Sequence, residues 1–282
     1  MTARPARRPW LRRLLGLIAI VVIAWLAWEA ITWPSVRALT TRPPATTAFI
    51  ERYKARERAA GHTPHLEWRW VPSSTISVHL KRAVLVAEDI GFFRHHGFAP
   101  QNMREAMTEA LEERRLPRGA STITQQLAKN LWLSPSRSPL RKAREAVLTW
   151  QLERTLSKRR ILECYLNVVE FGPGVYGVEA ASRRYFGKAA AELNEDEAAR
   201  LAAGLPRPRA WHPGVSSPAY RRYAESIRHR TDRAARHLCI RGNDREAVPS
   251  CCQRDEGVRR GTFQQHARLD VRDAASGVKP LA

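Results

Sequence analysis

Residues 14–33, LLGLIAIVVIAWLAWEAITW, form an apolar run of 20 residues whose one acid, Glu29, stands close to its end. A helix rising about 1.5 Å per residue makes such a run long enough to cross the ~30 Å hydrocarbon core of a bilayer. The run therefore predicts a membrane anchor. Arg4, Arg7, Arg8, Arg12 and Arg13 precede it, and the positive-inside tendency keeps residues 1–13 cytoplasmic and exports the rest of the chain. Trp25, Trp28 and Trp33 suit the far interface. The competing reading is a cleaved signal peptide, against which the run is long and no small-x-small cleavage site comes after it.

The 282 residues are enough for one sizeable core or two lobes, with appendages. A net charge of +21 is compatible with nucleic acid, an anionic membrane surface or a phosphorylated substrate. Export past the anchor takes the basic surface away from nucleic acid, so no nucleic-acid partner is expected. The four cysteines, Cys164, Cys239, Cys251 and Cys252, include no Cys-x-x-Cys pair, which gives zinc or thioredoxin-like chemistry no support. Cys164 falls in a helical apolar pattern and is expected in the core, while Cys239 has Cys251 or Cys252 as partners if the domain is oxidised.

After the anchor, residues 34–74 mix Pro, Thr and charges and predict a juxtamembrane linker with a short helix around 47–60. From residue 75 to about 212 the pattern is mainly helical. VHLKRAVLVAE is one helix, and Met103, Ala106, Ala110 and Leu111 mark another. Val147, Leu148, Leu152 and Leu156 recur at helical spacing, Ser157 caps KRRILECYLN, and Asn194 caps NEDEAARLAAGL, the last strong helix. The whole of ILECYLNVVEF is expected to be helical. PRPRAWHP stops the helical run, and residues 236–282 predict a basic, poorly ordered tail.

Several stretches carry chemistry. In EDIGFFRHHG, Glu88 closes a helix, where the partial negative charge of the carboxyl end, neighbouring Asp89 and apolar Phe92 and Phe93 all favour the protonated carboxyl. Such a group is a general base for work near neutral pH. The stretch also admits a structural reading, with Glu88 paired to an arginine and His95 capping the helix. His95 and His96 lack a third ligand at metal-site spacing. RGASTITQQLAKN places Thr122 and Gln125 in capping-box spacing and brings the hydroxyls of Ser121 and Thr124, the amides of Gln125 and Gln126, and Lys129 near a helix amino terminus suited to phosphate or sugar oxygens. In SRSPLRKAREAVLTW, Arg137, Arg141, Arg144 and Glu145 fall at offsets of four, seven and eight, one face of a helix. A phosphate-rich ligand would fit such a row, as would a solvated charged face. GPGVYG matches a dinucleotide-loop pattern, but no strand precedes it, so its glycines predict a tight turn before VEAASRRYFGK.

In this order, EDIGFFRHHG, RGASTITQQLAKN, RKAREAVLTWQLE, SKRRILECYLN and GVYGVEAASRRYFGK closely resemble the peptidoglycan glycosyltransferase domain of glycosyltransferase family 51. The resemblance covers about half the chain, residues 80–212, and implies a domain over residues 75–235. The implied fold is mainly α, a lysozyme-like lobe with a smaller membrane-apposed lobe, beside one N-terminal transmembrane helix. Class A penicillin-binding proteins join this domain to a transpeptidase, for which this chain leaves no room. The implied activity is polymerisation of lipid II into glycan strands by an inverting displacement at an undecaprenyl-pyrophosphate-linked donor. The resemblance makes Glu88 the general base and Glu145 an aid at the pyrophosphate side. Ser121, Gln125, Gln126, Lys129, Arg137, Arg141 and Arg144 are the implied substrate-binding wall. It implies Mg²⁺ or Mn²⁺ bridging the pyrophosphate, with no closed metal site and no organic cofactor. The implied setting is the inner membrane, with the catalytic domain periplasmic and other cell-wall synthases as partners. A lytic transglycosylase would share the fold without needing the cationic wall, and a non-catalytic cell-wall scaffold would not need the two glutamates. Ala120 departs from the glycine common at its position in this family.

Overall fold

The computed structural model describes residues 9–99, 121–136 and 138–237. The expected helix around Met103 and Ala106, Arg137, Ala120, Cys239, Cys251 and Cys252, and residues 238–282 of the predicted tail lie outside the described residues. The chain divides into two compact units, residues 1–35 and 36–282.

The first unit contains helix α1, Pro9–Thr32. It starts a few residues before the apolar run and keeps Leu17, Ile20, Ile23 and Ile31 exposed, as a helix meeting lipid rather than protein would. It is long and apolar enough to cross a membrane.

The second unit is mainly α. Helix α2, Ala48–Ala59, starts where the Thr47 side chain accepts from the Ile50 N–H. Helix α3, Val78–Glu88, is capped by Ser77, whose hydroxyl also donates to the Leu193 carbonyl. Helix α4, Ile123–Trp132, begins in the capping box of Thr122 and Gln125. Helix α5, Pro139–Thr155, has Ser138 as cap and proline at its first position, where the missing N–H costs nothing. Ser157 caps α6, Lys158–Val168, and Asn194 caps α8, Glu195–Gly204, both as the sequence predicts. Between these two lies α7, Val178–Phe186.

Two expectations fail. ILECYLNVVEF is not one helix: α6 stops at Val168, and Glu170–Gly172 is a strand, β2. It pairs antiparallel with β3, Val175–Tyr176, which in turn runs parallel to β1, Glu67–Trp68. The β-branched pair Val168-Val169 costs a helix little, so ladder pairing and the Gly177 N–H bond to the Val169 carbonyl, 2.9 Å, decide the state. The helical run also does not stop at PRPRAWHP. A 20-residue helix α9, Pro218–His237, comes after it and buries Tyr220, Tyr223, Ala224 and Ile227 at helical spacing.

Helices α3, α8 and α9 pack on one another, while α4 packs against α2, α5 and α6. Ile123, Leu127 and Ala128 of α4 are fully buried, as are Leu152 of α5 and Ile161 and Leu166 of α6. Each large side chain of this kind is worth about 1.5–3 kcal/mol on burial. Cys164 is in this core, where burial pushes its thiol up to about 12. GPGVYG makes its tight turn at Pro173–Gly174, but between strands β2 and β3 rather than after a helix, and Gly177, just before α7, sits at φ 77° with the place of a Cβ 2.6 Å from the Asn167 carbonyl oxygen. That space and that backbone angle admit glycine alone.

Candidate active site

Glu88 is the last residue of α3, and the helix C-cap is Asp89. The two adjacent acids point to different work. Asp89 is buried, accepts from the Ile123 N–H at the start of α4 at 3.0 Å, and meets His95 Nε2 at 2.9 Å. The Gly97 N–H donates to His95 Nδ1, leaving Nε2 as the donor to Asp89. The Thr122 hydroxyl donates to the Gly97 carbonyl, so the loop after Glu88 is tied to α4 on both sides. Gly97 itself has φ 84°, with the place of its Cβ 2.7 Å from Thr149 Cγ2.

Glu88 is half-buried, and its carboxylate oxygen accepts from Gln126 Nε2 at 2.8 Å. The Tyr165 hydroxyl donates to Gln126 Oε1 at 2.9 Å, which fixes the amide with its nitrogen towards Glu88. Loss of hydration raises the proton affinity of Glu88 above the ordinary carboxylate range, and Asp89 adds to it. The Gln126 bond, Lys129 and Arg230 oppose the rise. The neighbouring carboxylate is thus a secondary cause, and burial is the main one. Among the described residues the hydrogen-bond partner of Glu88 is an amide rather than the arginine of the structural reading.

Lys129 lies one turn along α4 from Gln125 and within electrostatic reach of both Glu88 and Glu145. Burial lowers its proton affinity, and the two glutamates raise it. Glu145, on α5, is buried and bonded by Arg141 and Lys142. Arg144 is half-buried on the same helix. Of the predicted four-residue row, Arg141, Arg144 and Glu145 lie on α5, and Arg137 lies outside the described residues. The fold therefore brings Glu88, Gln126, Lys129, Arg141 and Glu145 into one connected group.

The amino-terminal residues of α4 behave less uniformly. Ser121 is exposed and offers its hydroxyl. Gln125 is buried with its Oε1 accepting from the Thr122 N–H. The Thr124 hydroxyl, expected to face a ligand, is fully buried and donates to Glu153. Three residues of the group carry no mark in the sequence pattern. Tyr165 is hidden there as one more apolar position of α6, Lys142 as one more cation, and Arg230 belongs to the unforeseen α9. The Arg230 guanidinium lies over Tyr223 at 6.0 Å and reaches the Val86 carbonyl at the end of α3. The apolar spacing from Tyr220 to Ile227 is the signal for it. Among the described residues no group of three or more His, Cys, Asp or Glu side chains is arranged to hold a metal.

A buried-edge carboxylate with tightened proton affinity beside a cationic wall suits proton abstraction from a hydroxyl next to an anionic leaving group. Comparison with known proteins agrees. Residues 57–236 match the model of the transglycosylase family. The chain is 45% identical over 216 residues to the biosynthetic peptidoglycan transglycosylase of Thiobacillus denitrificans, covering 76% of this chain and 90% of that protein. It is also 45% identical over 221 residues to the protein of the same name in Aromatoleum aromaticum, covering 78% and 93%. A 44% identity over 221 residues relates it to the one in Azoarcus, covering 78% and 94%. With most of its length matched to these relatives and its two glutamates set around one lysine, the chain belongs to the transglycosylase family, the peptidoglycan glycosyltransferases.

Proposed function

We propose that the protein polymerises lipid II into glycan strands, with Glu88 as the general base. The observation that carries this is the Glu88–Gln126–Tyr165 row beside Lys129 and Glu145. The acceptor 4-hydroxyl attacks the anomeric carbon of the donor, its proton passes to a Glu88 carboxylate oxygen, and the bond from that carbon to the pyrophosphate oxygen breaks. One displacement inverts the anomeric centre, with no glycosyl-enzyme intermediate. Gln126 and Lys129 both favour the charged form of Glu88, the form that accepts the proton.

The departing pyrophosphate needs fixed positive charge rather than a proton. Lys129, Arg137, Arg141 and Arg144 supply it, and Ser121, Gln126 and the amide of Gln125 supply hydrogen-bond donors. Glu145 holds Arg141 and Lys142 in place. Mg²⁺ or Mn²⁺, held by the substrate's pyrophosphate beside Lys129, Arg141 and Arg144, would supply further neutralisation of the leaving group's charge. The apolar length of α1 and the five arginines before or at its start support an inner-membrane setting with residues 1–13 cytoplasmic and the catalytic unit periplasmic, where other cell-wall synthases are the expected neighbours.

The test is detergent-solubilised protein with labelled lipid II and Mg²⁺, beside Glu88→Gln, with products separated by size. Wild type should yield lysozyme-sensitive polymer. Glu88→Gln should lose about 10²–10⁴-fold, the usual worth of a general base. A mutant retaining more than about a tenth of the rate would remove Glu88 from that role.

A further inference from the structure

An open cleft of about 1040 Å³ lies between the outer face of α2 and residues 207–210. Four arginines line it: Arg52, Arg56, Arg207 and Arg209. Phe49, Pro135 and Pro208 give it apolar surface. Two acids also line it. Glu51 is bonded to Lys54 and Thr46. Glu170 pairs with Arg209, accepting from its Nε at 3.1 Å, while burial pushes its carboxyl up to about 7. Arg56 is paired with Glu57, and Arg207 stacks over Trp211. Arg52 and Arg207 make no ion pair among the described residues, and both are exposed.

Two elements lead from the catalytic carboxylate to this cleft. Gln126, bonded to Glu88, stands in the first half of α4; the helix ends at Trp132, about 9 Å further along its axis, and Pro135 lines the cleft just beyond. Tyr165, bonded to Gln126, stands near the end of α6, and Glu170 lines the cleft just after it. The two helices that carry Gln126 and Tyr165 therefore both end beside residues that line the cleft.

We propose that this cleft holds the peptide-bearing part of the growing glycan strand, its arginines meeting the carboxylates of the stem peptides and its apolar surface the sugar and side-chain faces. Charge complementarity selects this occupant: a neutral sugar chain alone would not need the two guanidinium groups of Arg52 and Arg207 that carry no ion pair among the described residues, whereas peptide carboxylates are matched by forked donors. The proposal rests on the polymerase reading and extends it to the product.

The test uses full-length Glu88→Gln protein in detergent, so that no polymerisation consumes the ligand. Binding is measured for soluble, un-cross-linked glycan strands with stem peptides intact or enzymatically removed. Peptide-bearing strands should bind about tenfold more tightly, and this advantage should vanish when Arg52→Glu and Arg207→Glu are added. Arg52→Gln with Arg207→Gln, a milder pair, should lose part of it and guards against misfolding of the reversed pair. Equal affinity for the two strands, or an advantage that survives both pairs, would overturn the proposal. So would a pair that loses only its affinity for phosphatidylglycerol vesicles, which would assign the cleft to lipid. Because binding is read without catalysis, peptide-selective binding by the Glu88→Gln protein together with no polymer from the wild type would sink the polymerase reading and leave the cleft standing.

Discussion

Glu88 is held between opposing influences, and the balance is measurable. Desolvation favours its proton; Gln126, Lys129 and Arg230 favour its charge. A base works only when ionised, so activity should rise with pH through the raised pKa of Glu88. Gln126→Leu removes a bond that stabilises the charged form, and the acid limb of kcat/KM should therefore move to higher pH. Tyr165→Phe frees the Gln126 amide to turn and should move the limb the same way by less. A limb that stays put or moves to lower pH in both variants would show that the amide does not tune the base. Glu170 offers a second pH test with stability as readout. Its carboxyl holds its proton more tightly folded, at about 7, than at the ordinary 4.5. Stability should accordingly fall as pH climbs between those values, limited by the Arg209 bond, and Glu170→Gln should flatten that slope in urea midpoints taken across the range.

At the scale of elements, α4 joins the parts of the site. Its first N–H is held by Asp89, its amide side chain by Tyr165 of α6, and its lysine by glutamates on α3 and α5. Leu127→Ala, at a fully buried position of this helix, should cost about 2–5 kcal/mol. Helix α9 closes the other side, and Ile227→Ala should cost a similar amount while raising the proton affinity of Glu88 if Arg230 shifts with it. Denaturant midpoints of the two variants, read with their pH–rate profiles, check both statements. These helices differ in legibility. Thr122, Ser157 and Asn194 announce their helices because a side-chain oxygen facing the third N–H is a local event. The stop of α6 at Val168 is not local: Glu170 and Phe171 enter a strand because β3 is there to pair with them. Helix α9 had the apolar spacing, but Arg-rich composition masked it, and burial against α3 and α8 stabilises it.

At the scale of the whole molecule, residues 1–35 and 36–282 are separate compact units, and the second has its own core. Removing residues 1–35 should release the protein from membranes in low detergent and high salt while changing Tm by less than about 4 °C, or about 1 kcal/mol at this size. A larger fall would mean that the anchor contributes to the fold of the second unit. Residues 1–35 hold five arginines and one glutamate, so most of the net charge of +21 stays with the truncated protein and predicts residual binding to anionic vesicles at low salt, fading as screening increases.

The sequence by itself determined the features that depend on neighbours a few residues apart. The anchor comes from length and apolarity, the caps from single hydroxyls and amides, and the turn at Gly177 from the need for positive φ. The family came from five ordered stretches, and with it the identity of Glu88 and Glu145 as the candidate acids. Only the tertiary structure decided which partner each polar group faces. Asp89 proved to be the clamp of α4 rather than the main cause of Glu88's raised proton affinity, Thr124 turned into the core, Gln126 turned to the base, and Tyr165 came in from 39 residues away to hold it. Local spacing sets the face of a helix, but desolvation and hydrogen-bond partners are set by chain segments remote in sequence, and those are assembled only when the helices pack.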